Sequence, residues 1–125
     1  MPFAWPAYLT LAQELGARSG DEAALRSAMS RAYYAAYNLA VVKLRVLRIP
    51  VDEQLPAHEK VWTAFISHSD MTCHAIGVLG DRLKRSRRNA DYEDTIRNMV
   101  SETAQALHIA RTVVGHLQTL SLPSA

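Results

Sequence analysis

The chain has 125 residues and a formal net charge of +2 at pH 7, with 49% hydrophobic and 21% charged residues. These values exclude a disordered chain and allow one domain, residues 1–125, around a single core. The mild charge excludes general nucleic-acid affinity, so only a local basic cluster could bind phosphate. One cysteine, no recognisable secretory signal and no apolar run near the ~20 residues that span a bilayer predict a cytoplasmic protein without a membrane partner.

Helix signals dominate the first half of the chain. Pro6 suits a first helical turn and predicts a short helix that ends at Gly16. Ser19 followed by Glu22 matches a capping box for a long second helix, which the Ile49-Pro50 pair stops. The inward stripe predicted for this helix from its apolar spacing is Leu25, Met29, Ala32, Ala36 and Leu39.

Three further helices are predicted in the second half. One begins near Ala57, the next is capped by Ser69-Asp70 and ends near Arg87, and the last is capped by Asp94 and ends near Leu120. Their predicted inward residues are Val61, Trp62, Phe65 and Ile66, then Ile76, Leu79 and Leu83, then Ile96, Met99 or Val100, Thr103, Leu107, Ala110, Val113 or Val114, and Leu117. The pattern predicts an all-α, up-and-down bundle of four to five helices with two long antiparallel helices.

The fourth predicted helix ends in a basic segment, which consists of Arg82, Lys84, Arg85, Arg87 and Arg88. The pair Asp91-Tyr92 follows it closely. Like charges three and four residues apart share a helix surface and repel one another unless an anion lies opposite, and guanidinium groups suit phosphate oxygens. A solvated helix end, where cations also interact favourably with the helix dipole, explains the segment equally well. The candidate phosphate- or nucleic-acid-binding residues are Lys84, Arg85, Arg87, Arg88 and Asn89.

The second predicted helix carries the polar and aromatic stretch "SRAYYAAYN". Tyrosines at the border of a helical core usually pack their rings and keep the hydroxyl at a wet rim, so this stretch alone does not indicate a site. Its candidate supporting residues are Ser30, Arg31, Tyr33, Tyr34 and Tyr37.

The remaining reactive side chains predict neither a metal site nor a cofactor. The five histidines are scattered along the chain without zinc-ligand spacing, and no nucleotide-binding motif is present. We expect these histidines at the surface or at helix rims, and Cys73 as a buried, inert thiol.

Taken together, "SAMSRAYYAAYN" and "RLKRSRRNADYED" resemble the HEPN superfamily, small all-α proteins of prokaryotic defence, toxin–antitoxin and nucleotidyltransferase-associated systems. The resemblance extends from about Leu25 to Leu117. It implies a twofold homodimer and, in active members, a metal-independent endoribonuclease site where two copies of an Arg-x(4–6)-His motif meet. There, arginine would neutralise the charge that builds on the phosphate, and histidine would transfer a proton or position the RNA.

This chain departs from the motif of active members. In the frame from Arg85 to Tyr92, Ala90 stands at the histidine position, so we expect impaired catalysis. Arg87 is the other candidate for the matching arginine, and His74 could supply the imidazole if the geometry allows it. The resemblance also implies that Tyr92 is a candidate for nucleotidylation by a partner nucleotidyltransferase. The candidate catalytic residues are Arg85, Arg87, Asp91 and Tyr92.

Three functions follow from these patterns. The preferred one is a dimeric HEPN-like module that binds RNA, a nucleotide or a nucleotidyltransferase-like antitoxin without cleaving RNA. The first alternative is an active metal-independent endoribonuclease toxin. The second is a helical assembly module whose basic segment contacts an acidic protein.

Overall fold

The computed structural model describes residues 1–122, which form five α-helices and no β-strand. The helices are α1 (Pro6–Gly16), α2 (Glu22–Val46), α3 (Ala57–Ile66), α4 (Met71–Tyr92) and α5 (Met99–Thr119). The prediction of an all-α bundle is therefore confirmed. No helix in the described range is both long and apolar enough to cross a membrane.

The central element of the bundle is α2, which contacts each of the other four helices. Its inward side is rich in alanine, and small side chains let the neighbouring helices approach closely. The fully buried alanines of α2 are Ala28, Ala32, Ala35, Ala36 and Ala40. The largest buried side chains, Trp62, Tyr33 and Phe65, pack where α2 and α3 meet α4.

Two glycines of α4 make the contact with α3 possible. A Cβ at Gly80 would collide with the Trp62 ring, and a Cβ at Gly77 would lie 2.5 Å from the Ile66 backbone nitrogen. These glycines weaken an isolated helix, by about 1 kcal/mol each against alanine. In the bundle they let the Trp62 ring lie directly on α4, which places the tryptophan beside α2.

The start of α2 differs from its prediction. The Asp21 carboxylate accepts a hydrogen bond from the Ala24 backbone nitrogen at 3.1 Å, so Asp21 and not Ser19 is the N-cap. Ser19 lies in the turn before it. The predicted Asp70 cap of α4 is confirmed, because its carboxylate accepts from the Cys73 nitrogen at 2.9 Å.

The start of α5 also differs. The helix begins at Met99, preceded by Asn98 with a left-handed φ of 54°, so the prediction of an Asp94 cap is wrong. Asp94 and Ile96 lie in the connection between α4 and α5. Asparagine tolerates the left-handed region better than most residues, which fits a sharp change of direction here.

The end of α4 lies beyond its predicted position near Arg87, because the helix continues to Tyr92. Arg26 at the start of α2 stabilises this extension by donating to backbone carbonyls that a helix end leaves unpaired. The acceptors are the carbonyls of Ala90 at 2.9 Å, Glu93 at 2.6 Å and Asp94 at 3.2 Å. Because the end of α4 meets the start of α2, these two long helices run antiparallel.

Most residues of the predicted inward stripes are buried. The exceptions are Leu39, Ile66, Leu79 and Ile96, which are half-buried, and Val100, which is 54% exposed while its alternative Met99 is half-buried. The buried residues of the stripes are Leu25, Met29, Ala32, Ala36, Val61, Trp62, Phe65, Ile76, Leu83, Thr103, Leu107, Ala110, Val113, Val114 and Leu117.

Candidate functional site

The basic segment does not form one surface, because successive residues of α4 point in different directions around the helix axis. We call the residues at spacings of three, four and seven that point away from the bundle the outer face: Arg85, Arg88, Asn89 and Tyr92. We call the residues that point towards α2 and α3 the inner face: Lys84, Arg87 and Asp91. The two faces have different environments and therefore different chemistry.

The outer face lies open to solvent. A shallow depression of about 440 Å³ is lined by its residues together with Glu93. Arg85 is 72% exposed and pairs with Asp81 at 2.6 Å, whereas Arg88 forms no ion pair within residues 1–122. Surface ion pairs contribute only ~0–1 kcal/mol, so Arg85 can exchange Asp81 for another anion at little cost. Tyr92 is 74% exposed beside these cations.

The inner face packs its arginine against tyrosines. The Arg87 side chain is 11% exposed, and its guanidinium carbon lies 5.3 Å from the Tyr33 ring centroid and 5.7 Å from that of Tyr34. Its Nη1 donates to Asp91 at 3.4 Å, and its buried Nε has no hydrogen-bond partner. Desolvated cation–π contacts contribute up to about 2 kcal/mol, so Arg87 stabilises the bundle.

Behind Arg87 lies a chain of hydrogen bonds from three aromatic side chains. Trp62 Nε1 donates to the Tyr33 hydroxyl at 3.1 Å, and that hydroxyl lies 2.6 Å from His58 Nδ1. Tyr33 is fully buried, contrary to the expectation of a hydroxyl at a wet rim. Because an indole N–H can only donate, the Tyr33 oxygen accepts from Trp62. The buried Tyr33 proton finds an acceptor at His58 Nδ1 when the neutral imidazole carries its own proton on Nε2, and we infer this tautomer.

Burial in the same cluster shifts the pKa values of its members in the direction that favours their uncharged forms. Burial, followed by the charges of Arg87 and Lys84, lowers the pKa of His58. Burial raises the pKa of Tyr33 far above its ordinary value despite the Trp62 hydrogen bond, and burial also raises the pKa of Tyr37. His58 is therefore a neutral imidazole at pH 7, stacked on the Tyr37 ring with centroids 4.1 Å apart.

His58 is the residue of this cluster that the sequence analysis missed. The sequence predicts a histidine at the surface or at a helix rim, whereas the structure places His58 against Tyr33 and Tyr37 of α2. The available signal was its spacing of four residues from Trp62, which puts both on one face of α3. The partners on α2 and α4 are far away in the chain, so spacing alone could not reveal the cluster.

The other predicted supporting residues lie apart from the outer face. Ser30 is half-buried, and the Arg31 guanidinium lies 5.3 Å from the ring centroid of Tyr8 on α1. Tyr34 and Tyr37 flank Tyr33 on α2 and join the cluster around His58. Asp91 contacts Arg87 and caps no helix.

Neither position considered for a motif histidine places an imidazole beside the basic segment. Ala90 is 4% exposed and belongs to the hydrophobic core. His74 lies in the first turn of α4, where its Nδ1 contacts the Ile66 carbonyl at 2.8 Å. At a rise of about 1.5 Å per residue it is roughly 16 Å along the axis from Arg85, so it cannot substitute.

Two further kinds of site are relevant to residues 1–122: a metal site and a reactive thiol. Within residues 1–122, no group of three or more histidine, cysteine, aspartate or glutamate side chains is arranged to hold a metal ion. Burial and the neighbouring Asp70 raise the pKa of Cys73 to about 11, so its thiol stays protonated at neutral pH. A protonated, buried thiol is a poor nucleophile.

No protein-family model, no curated protein and no solved structure matches the chain.

Proposed function

We propose that this protein is a HEPN-like, homodimeric module that binds single-stranded RNA through the outer face of α4 and does not cleave it. The observation that carries the proposal is the placement of an exposed tyrosine, Tyr92, beside two exposed arginines, Arg85 and Arg88. Neither arginine is committed to a buried ion pair. The surface therefore offers a ring and two exposed cations to the same ligand.

This combination suits a single strand of RNA. Exposed bases stack on aromatic side chains, with about 1–3 kcal/mol lost per base when the ring is removed, and guanidinium groups contact the phosphates between them. The Asn89 amide can donate and accept at a base edge or a phosphate. An acidic protein surface would use the same cations, whereas a single strand of RNA presents both phosphates for the cations and bases that stack on the Tyr92 ring.

Cleavage is disfavoured by the protonation state of His58. To start the reaction, a base must remove the proton from the RNA 2′-OH. The Tyr33 hydroxyl lies 2.6 Å from His58 Nδ1, and in the tautomer inferred above the ring proton is on Nε2. In that tautomer His58 can donate from Nε2 but cannot accept there, and Ala90 supplies no group at all.

Binding is tested by fluorescence anisotropy of a labelled oligouridine strand in solutions of increasing salt concentration. We expect Arg88→Ala to weaken binding and to reduce the slope of log affinity against log salt by about 0.7, the value for one phosphate on a single strand. Tyr92→Ala should weaken binding by about 1–3 kcal/mol, while Tyr92→Phe retains the stacking ring and most of the affinity. Arg111→Ala, an exposed arginine on α5, is the matched control.

Two results would overturn the proposal. One is the absence of RNA binding at low salt, and the other is an affinity that Arg88→Ala and Tyr92→Ala leave unchanged. Retention of an acidic protein by the same arginines, without RNA binding, would instead identify a protein-assembly module.

The second candidate function is a metal-independent endoribonuclease, and one observation favours it. Arg87 and His58 both contact Tyr33, so a guanidinium and an imidazole lie near each other although no motif predicted it. The test is cleavage of labelled single-stranded RNA in EDTA. Cleavage by the wild-type protein that Arg87→Gln and His58→Gln both abolish would establish this alternative. An Arg85→Ala/Arg87→Ala variant, purified identically, controls for contaminating nuclease.

The resemblance to HEPN proteins also motivates a regulatory partner. An exposed tyrosine hydroxyl can be reached by a modifying enzyme, and Tyr92 is 74% exposed. We propose that a nucleotidyltransferase transfers a nucleotidyl group from a nucleoside triphosphate to the Tyr92 hydroxyl, with release of pyrophosphate, and thereby blocks the outer face. After co-expression with a nucleotidyltransferase from a neighbouring gene, intact-mass spectrometry should show an adduct on the wild-type protein and none on Tyr92→Phe. An unmodified wild-type protein would count against this partner.

The homodimer is tested separately. A twofold arrangement uses the same patch on both subunits and would bring two outer faces into one assembly. Analytical ultracentrifugation should give twice the monomer mass of 13.9 kDa. A monomer at all concentrations would remove the dimer from the proposal but leave RNA binding by a single face.

A further inference from the structure

A second concave surface lies at the opposite end of α2 from the Arg26 contact. It is an open groove of about 520 Å³ between the last turns of α2, the connection that follows them and α3. Its floor is apolar and includes the buried side chains of Leu44, Ile49 and Val61. Its rim is cationic, with Arg45, Arg48 and Lys60. The volume lies in the range of about 300–1,000 Å³ that is typical of small-molecule sites.

The rim cations differ in whether they already have a partner. Lys60 pairs with Glu53 at 3.0 Å. Arg45 and Arg48 are exposed and form no ion pair within residues 1–122. Two guanidinium groups beside an apolar floor are complementary to a ligand that has an anionic head and an apolar body, because the floor desolvates the body and the rim binds the head.

The backbone of Arg48 is the second unusual feature of the groove. Its φ is 55°, and it follows α2 at the position where a helix commonly ends on glycine. The Ile49 nitrogen donates to the Leu44 carbonyl at 3.0 Å, which completes this type of helix end. Cations near a helix C-terminus interact favourably with its dipole, which explains Arg45. The dipole interaction does not explain why Arg48 is an arginine, because glycine would form the same turn without placing a Cβ in the left-handed region.

We propose that this groove binds a small organic anion with an apolar body, such as a medium-chain carboxylate or alkyl phosphate, with its head on Arg45 and Arg48. The site is separate from the outer face of α4 and does not depend on RNA binding. The carboxylate and the alkyl phosphate both carry a charged oxyanion on a hydrocarbon chain, so the groove would bind them in the same way.

The decisive variant is Arg48→Gly. Glycine adopts a positive φ freely, so the variant should fold with a melting temperature equal to the wild type's or up to about 3 °C higher. The fluorescent probe is 1-anilinonaphthalene-8-sulfonate, which combines a sulfonate with an aromatic body. We expect wild-type protein to bind it with enhanced fluorescence, and Arg48→Gly to bind it at least about tenfold more weakly, the loss expected for a charge-assisted hydrogen bond. Arg111→Ala, an exposed arginine on α5 outside both sites, is the control and should bind the probe normally.

Competition then distinguishes the head groups. Decanoate and decyl phosphate, each below its micelle concentration, should displace the probe from wild-type protein, and the tighter competitor identifies the preferred head. Decanol lacks the charge and inorganic phosphate lacks the chain, so neither should compete at the same concentration. No probe binding, equal binding by Arg48→Gly, or equal competition by decanol would each overturn the proposal. Arg48→Gly should bind RNA normally, so this result is independent of the proposed function.

Discussion

Arg87 and Arg88 are neighbours in the chain, yet the bundle gives them opposite environments. The Arg87 side chain is 11% exposed and lies over the rings of Tyr33 and Tyr34, with a buried Nε that has no partner. Arg88 lies in an open depression beside Tyr92. One residue step rotates a side chain by about 100° around a helix, and here that rotation separates the core from the solvent.

The comparison shows that a count of basic residues overestimates the charge available to a ligand. Within the basic segment, Lys84 and Arg85 both pair with Asp81, and Arg87 contacts Asp91 and the tyrosines. On the inner face Arg87 holds helices together, while on the outer face Arg88 stays exposed without an ion pair in the described range. Substitutions on the inner side should therefore change stability, and those on the outer face should change binding.

The largest effect is expected from Gly80→Ala, which disturbs the support of the inner face. The new Cβ would collide with the Trp62 ring, and overpacking of a tight core contact costs up to about 3 kcal/mol. The free energy of unfolding from urea denaturation measures the loss. Gly115→Ala, in α5 with open space around it, should instead stabilise the protein by up to about 1 kcal/mol. Equal stability of the two variants would contradict the α3–α4 contact.

Tyr33→Phe should have the next largest effect. It removes the hydroxyl that accepts from Trp62 Nε1 and leaves that N–H buried without a partner. The expected loss is about 1–3 kcal/mol in the free energy of unfolding. Tyr92→Phe removes an equivalent hydroxyl from the exposed outer face and should change stability by less than about 0.5 kcal/mol. If both variants lost the same stability, the chain of hydrogen bonds would not be a structural element.

Arg87→Ala and Arg88→Ala test the comparison directly. Loss of two cation–π contacts predicts a destabilisation of about 1–2 kcal/mol for Arg87→Ala. Arg88→Ala should stay within about 0.5 kcal/mol of the wild type but weaken RNA binding. Thermal unfolding gives the stability of each variant, and fluorescence anisotropy gives its affinity for RNA. A reversed pattern, with Arg88→Ala the less stable variant, would show that the two faces were assigned the wrong way round.

The smallest effect concerns pH. The folded pKa of His58 is lowered from its ordinary value of about 6.5, so the unfolded chain binds the additional proton first as the pH falls. The stabilisation from neutral His58 is complete above about pH 6.5 and is lost as the pH falls through the folded pKa. The melting temperature of His58→Gln, whose amide oxygen still accepts from Tyr33, should therefore fall less between pH 7.5 and 5.5. An identical fall in both proteins would refute the half-buried, neutral imidazole.

A feature of the site could be predicted from the sequence only where the residues that produce it lie close together in the chain. The tyrosines of α2 and the arginines of α4 could be identified as candidates from short segments. His58 could not, because its role arises from Tyr33, Trp62 and Arg87, which belong to three different helices. The end of α4 also escaped prediction, since Arg26 stabilises it from more than 60 residues away.

By itself, the sequence determined the class of fold and most of the core. Apolar spacing along each segment indicates the buried side of a helix, and a local cap such as Asp70 marks its start, because both depend on residues within one or two turns. Only the tertiary structure decided which cations face solvent, which histidine is neutral and where the Arg48 groove opens. Those properties depend on burial between helices, and burial sets both the electrostatic environment and the space available to a ligand.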